Sequence, residues 1–139
     1  TFNIKNIRDE RSKTRSTTTR SRKGQQNFRI NVLSAYKNQC CVTGFDLIDA
    51  LEANHIFPYR GPDTNHIQNG IPLRVDIHKL WTKGLLGINN KYQIVLNDTA
   101  RNSESYKKYH GMHIKLPTNP KYHPDKEALQ HHCNLYNLV

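Results

Sequence analysis

Leu51-Glu-Ala-Asn-His-Ile-Phe-Pro58, Asn69-Gly-Ile-Pro-Leu-Arg74 and Val75-Asp-Ile-His-Lys-Leu-Trp81 follow one another with a single loop between the first and second. The first reads as a strand running on to Tyr59. The second is a turn leading into the short extended run Ile71-Pro-Leu73. The third belongs to a helix over Leu73 to Lys83, stopped by Gly84. Arg60 to Gly70 is rich in turn formers and reads as the connecting loop. Strand, turn, extended run and helix in this order fold into a hairpin packed on a helix. His55, Asn69 and His78, fourteen and nine positions apart, then meet at one point. A basic imidazole, a turn-locking amide and a second imidazole are parts that metal-assisted phosphodiester cleavage needs.

Outward from this stretch the elements alternate. Gln25 to Asn38 reads as an amphipathic helix, with Phe28, Val32, Leu33, Ala35 and Tyr36 at helical spacing. Cys40 to Gly44 reads as a short strand entering a turn, and Asp46 to Ala50 as one helical turn. Leu85-Leu-Gly-Ile88 and Tyr92-Gln-Ile-Val-Leu96 bracket Asn89-Asn-Lys91, the pattern of a second hairpin. A helical turn near Ser103 to Tyr109, a short strand at Met112 to Leu116 and a closing helix over Asp125 to Tyr136 complete a small α+β layout.

The 139 residues, 35% hydrophobic, fit one domain with a modest core. A net charge of +10 attracts polyanions, so nucleic acid leads the candidate partners and an anionic membrane surface trails. No apolar run is long enough for a membrane span. Residues 1–23 hold eight of the bases and two acids, with few apolar residues after Ile7. They read as a basic flexible linker or arm, and 24–139 as the folded domain. Arg15, Arg20, Arg22 and Lys23 are its candidate phosphate contacts. The start at Thr1 suggests a piece cut from a longer polypeptide. Cys40, Cys41 and Cys133 make no disulfide framework, and neither they nor His131-His132-Cys133 have the spacing of a structural zinc site.

Glu52 to Arg60, Asn69 to His78 and Leu80-Trp-Thr-Lys-Gly-Leu85 together resemble the HNH endonucleases of the ββα-metal class. The branch is that of restriction and anti-phage effectors lacking zinc-binding cysteine pairs. The resemblance covers about Gly24 to Leu116. It implies a ββα-metal core with flanking helices and an extra β-hairpin. It also implies a catalytic set of His55 as general base, Asn69 as the loop brace and His78 as metal ligand. Asn54 stands where many members carry an aspartate or histidine ligand. A neutral amide is a weak ligand, so Glu52, ranked ahead of Asp76, is the expected helper. One Mg²⁺ or Mn²⁺ is expected per site, with no structural zinc.

Arg60, Arg74, His66 and Lys79 are the expected DNA contacts near the site. Arg60 and Arg74 have Asp63 and Asp76 as alternative partners, and His66 has a structural alternative. Trp81 reads as core. The resemblance implies cleavage to 5′-phosphate and 3′-hydroxyl ends by the C-terminal module of an enzyme with an N-terminal recognition domain, in the bacterial cytoplasm. Two copies, a homodimer, would serve double-strand cutting. The rivals are a secreted antibacterial toxin nuclease and a non-catalytic nucleic-acid-binding module.

Overall fold

The computed structural model describes residues 1–11 and 15–139, and the side chains of all of these except 15–21. Helix α1 (Arg15–Ala35) is followed by β1 (Leu51–His55), β2 (Gly70–Arg74), α2 (Val75–Thr82), β3 (Leu86–Ile88), β4 (Ile94–Leu96), α3 (Asp98–Arg101) and α4 (Lys126–Leu135). β1 and β2 form one antiparallel pair, β3 and β4 another. The small mixed helix-and-strand domain is thus the expected α+β architecture, with an extra hairpin and flanking helices.

Element limits differ from the sequence reading for local reasons. α1 starts ten residues before Gln25: Arg15, Arg20, Arg22 and Lys23 are good helix formers, and Gly24 is tolerated within it. It ends where Lys37 and Asn38 take positive φ. β1 stops at His55 rather than Tyr59, since the chain bends away into the loop held by Asn69. β2 runs on to Arg74, so α2 begins two residues later than expected. Residues 40–44 form turns instead of a strand, although Cys41 N–H still donates to Pro72 O at 2.9 Å. The strand expected at Met112 to Leu116 is reduced to one bridge between Gln93 and His113.

The core gathers Leu33 from α1 and Tyr36 just beyond its end, Leu51, Ile71 and Leu73 from the first hairpin, Ile77 and Trp81 from α2, and Leu86, Ile88, Ile94 and Leu96 from the second hairpin. Gly70 decides how closely α1 sits on the first hairpin. A Cβ there would collide with Val32 and Phe28. The β1–β2 register sets Gly70 opposite His55, so this missing side chain brings Phe28 down onto His55.

Residues 1–11 are anchored where a flexible arm was expected. Phe2 is buried in the core and its N–H donates to Gln68 Oε1 at 3.2 Å. Arg8 donates its backbone N–H and its guanidinium to Asp63, and Glu10 N–H donates to Arg60 O at 2.7 Å. Phe2, Ile4 and Ile7 supply the apolar surface that fastens them, outside the basic run itself. The expected boundary between residues 23 and 24 falls inside α1. Among the described residues no helix is long and apolar enough to cross a membrane.

Helix α4 closes the domain beneath β3 and α2. Asp125 caps it by accepting from Ala128 N–H at 3.0 Å. His132 stacks on Trp81 with ring centroids 3.6 Å apart and donates Nε2–H to Trp81 O at 2.9 Å. Burial pushes its pKa down to about 4, against the opposing carbonyl bond and with help from neighbouring His131. An unfolded chain, with a histidine near 6.5, binds the extra proton throughout the interval between these values. Stability from this group is therefore complete above pH 6.5 and lost as pH falls toward 4, by about 3 kcal/mol at most. His132→Phe keeps a ring on Trp81 but cannot charge, so its unfolding free energy should fall less steeply over that interval. Denaturant unfolding at several pH values measures this; equal slopes would remove His132 as the cause.

Candidate active site

The side chains of β1 alternate between α2 and α1. Glu52 and Asn54 turn toward α2, and His55 turns toward α1. A groove of about 460 Å³ lies between α1 and the hairpin, with Arg22, Phe28, Glu52, His55 and His78 in its walls.

His55 lies flat against Phe28, with centroids 4.2 Å apart and planes 4° from parallel. The edge of Tyr59 closes from another side at 5.4 Å. Its Nε2 is 2.9 Å from Asn65 Oδ1. Burial is the main cause that lowers the His55 pKa from 6.5; the Asn65 bond opposes this and nearby His78 adds to it. The ring is therefore largely neutral at pH 7 and has a lone pair to accept a proton.

Asn69 is fully buried. Its Oδ1 accepts from Phe57 N–H at 2.8 Å, and its Nδ2 donates to Phe57 O and Thr64 O at 3.0 Å each. The side chain thus behaves like a strand partner to Phe57, two residues beyond His55, and pins the far side of the loop through Thr64. Its own carbonyl accepts from Ile56 N–H at 2.9 Å. An amide suits this position because it offers both a donor and an acceptor.

His78, on the second turn of α2, meets Glu52 of β1 with Nδ1 2.7 Å from Oε1. Behind the imidazole, Asn54 is buried. The Trp81 indole can only donate, so Asn54 Oδ1 accepts from Trp81 Nε1–H at 3.2 Å and Nδ2 donates to His78 Nε2 at 3.1 Å. Asn54, expected to reach a metal, therefore spans Trp81 and His78, while Glu52 stands exposed beside the same ring. Among the described residues no group of three His, Cys, Asp or Glu side chains is arranged to hold a metal ion.

The other expected contacts divide. Arg22 borders the groove, and Lys23 and Lys79 are exposed. Arg60 is exposed and lies over the Phe57 ring at 5.1 Å. Arg74 is paired bidentately with Asp76, with Nη2 2.9 Å from Oδ2, and Tyr106 donates to the same carboxylate at 2.8 Å. The Arg74 bond is the chief cause holding the Asp76 carboxyl below its ordinary pKa. Asp76 is thereby committed to this pair. His66 Nδ1 accepts from Gln68 N–H at 3.1 Å, a local cap for the turn Ile67–Asn69. The side chains of Arg15 and Arg20 lie outside the described residues.

Two neighbours of His55 escaped the sequence reading. Phe28 looked like an ordinary core position on α1. Asn65 lay in the segment Asn65-His66-Ile67, whose echo of Asn54-His55-Ile56 directed attention to the histidine instead of the amide.

Residues 40–89 match the sequence profile of a family described as HNH endonuclease. Among solved structures, the chain is similar to a modification dependent TagI restriction endonuclease, with a TM-score of 0.54 and 18% identity over 78% of this chain and 37% of that one. It spans little more than a third of that protein's length, and a likeness at this identity speaks for the fold. No curated protein matches the sequence. The profile takes in the whole hairpin, the Asn69 clamp and α2, so the likeness to the HNH endonucleases rests on the segment that carries His55, Asn69 and His78.

Proposed function

We propose that the domain is a metal-dependent DNA endonuclease, the cleavage module of a larger restriction or anti-phage enzyme. The observation that carries this reading is that a neutral, partly buried His55 and the Glu52–His78 pair open onto one groove edged by Arg22. His55 takes a proton from the water that attacks phosphorus, and Asn69 keeps the end of β1 in place while it does so. The products carry 5′-phosphate and 3′-hydroxyl ends. Arg22, Lys23 and Lys79 supply phosphate contacts to the DNA backbone.

The donors present suit a small divalent cation. A carboxylate and an imidazole share the groove wall, and Glu52 adds the negative charge that His78 lacks. Glu52 and His78 would hold Mg²⁺ or Mn²⁺; binding through His78 Nδ1 would shift the ring hydrogen to Nε2 and require the Asn54 amide to turn its oxygen toward that nitrogen. When bound, the cation offsets charge developing on the phosphate and the leaving oxygen. The match to only 37% of the length of that restriction endonuclease supports a role as one part of a longer enzyme, with DNA recognition elsewhere.

Plasmid cleavage by the purified chain tests this reading. Nicked or linear DNA should appear with Mg²⁺ and, at lower metal concentrations, with Mn²⁺, which tolerates a nitrogen donor better. EDTA should abolish it. Glu52→Gln should raise the metal concentration for half-maximal cleavage on the order of tenfold, because ligand charge tunes affinity. Undiminished cleavage in EDTA would remove the metal from the proposal, and an unchanged metal requirement in Glu52→Gln would remove Glu52 from the site.

A further inference from the structure

We propose that Asn65 is a positioning residue that selects the working nitrogen of His55: it holds Nε2–H and leaves the Nδ1 lone pair to the attacking water. The inference rests on the nuclease reading above for its consequence, but its geometry stands by itself. Asn65 Oδ1 is 2.9 Å from Nε2 and is the one hydrogen-bond partner of the His55 ring among the described residues. An amide oxygen accepts only, so the hydrogen belongs on Nε2, and the other nitrogen is left bare.

Packing alone cannot make this choice. A flat stack on Phe28 and an edge contact with Tyr59 hold the plane of the imidazole, yet a half-turn of the ring about its Cβ–Cγ bond preserves both. That half-turn exchanges each nitrogen with a carbon. Only a directional contact separates the two orientations, and Asn65 supplies it.

Asn65 is itself placed from two sides. Its backbone N–H donates to Pro62 O at 3.0 Å, and the carbonyl before it, Thr64 O, accepts from Asn69 Nδ2. The Asn69 clamp therefore fixes the backbone that carries Asn65, and Asn65 fixes the ring. On the opposite side, Gly24 of α1 leaves room for the amide. A Cβ there would lie 3.2 Å from Asn65 Nδ2, tighter than ordinary packing.

The test combines nitrogen NMR of the His55 ring with steady-state cleavage by the wild-type chain, Asn65→Leu and Asn65→Asp. In the wild type, neutral His55 should be the Nε2–H tautomer. Asn65→Leu, similar in size and without an acceptor, should populate both tautomers and lower kcat by about 10- to 100-fold with KM nearly unchanged, the scale seen when a partner that orients a functional imidazole is removed. Asn65→Asp, which also accepts at this position, should keep the Nε2–H tautomer and restore most of kcat. Nδ1–H as the wild-type tautomer, or full kcat in a folded Asn65→Leu protein, would overturn the assignment. Wild-type protein that never cleaves DNA would instead defeat the nuclease reading, and the tautomer measurement would still decide the role of Asn65.

Discussion

His55→Ala should lower the cleavage rate by about 10²–10⁴ while DNA affinity is retained, because a general base acts on the transition state and contributes little to phosphate binding. The structure adds a cost to stability. His55 is the stacking partner of Phe28 at 4.2 Å, so its removal should destabilise the domain by roughly 1 kcal/mol. The loss is small enough for the protein to remain folded. Circular dichroism together with single-turnover cleavage and filter binding separates the three effects. Full activity in a folded His55→Ala protein would end the assignment of His55 as base.

Asn69→Ala should be far harsher on the fold. The amide satisfies Phe57 N–H, Phe57 O and Thr64 O, and it is fully buried. Truncation leaves those backbone groups unpaired away from water, at roughly 1–3 kcal/mol for each that finds no substitute. A loss on the order of 3 kcal/mol or more is therefore expected, enough to consume much of the stability of a small domain. Cleavage should fall with it, since the loop carrying Thr64 and Asn65 loses its tie to Phe57. Asn69→Asp should fail as well: the carboxylate still accepts from Phe57 N–H but faces two carbonyl oxygens without a hydrogen to offer. Denaturant unfolding measures both variants. An unchanged midpoint alongside lost activity would contradict bracing and point to direct contact with the reacting groups.

The hairpin–helix core was legible because its signals are local. A turn-rich loop lies between two apolar extended runs, and Ile77, Leu80 and Trp81 keep helical spacing on the segment that follows. Such patterns survive without knowledge of the rest of the chain. The second hairpin was legible for the same reason: Asn89 Oδ1 accepts from both Lys91 N–H and Gln93 N–H, a bond pattern written within five residues. The strand expected at Met112 to Leu116 failed because a strand exists only through its partner, and β4 meets that segment at its end alone. The anchored N-terminus was hidden in the same way. Charge dominates residues 1–23, yet Phe2 finds its burial site and Gln68 its partner only after the loop has folded.

What the sequence determined by itself was the order of elements, the α+β class and the candidate trio His55, Asn69 and His78, since spacing and turn chemistry are properties of neighbouring residues. The tertiary structure decided the surroundings of each. Docking of α1, permitted by the bare Gly70, set Phe28 against His55; closure of the loop brought Asn65 to its ring. The indole of Trp81 took the oxygen of Asn54 and left Glu52 facing His78. These contacts join residues up to 27 positions apart. No one-dimensional pattern encodes them, because each depends on which surfaces the packed core leaves in contact.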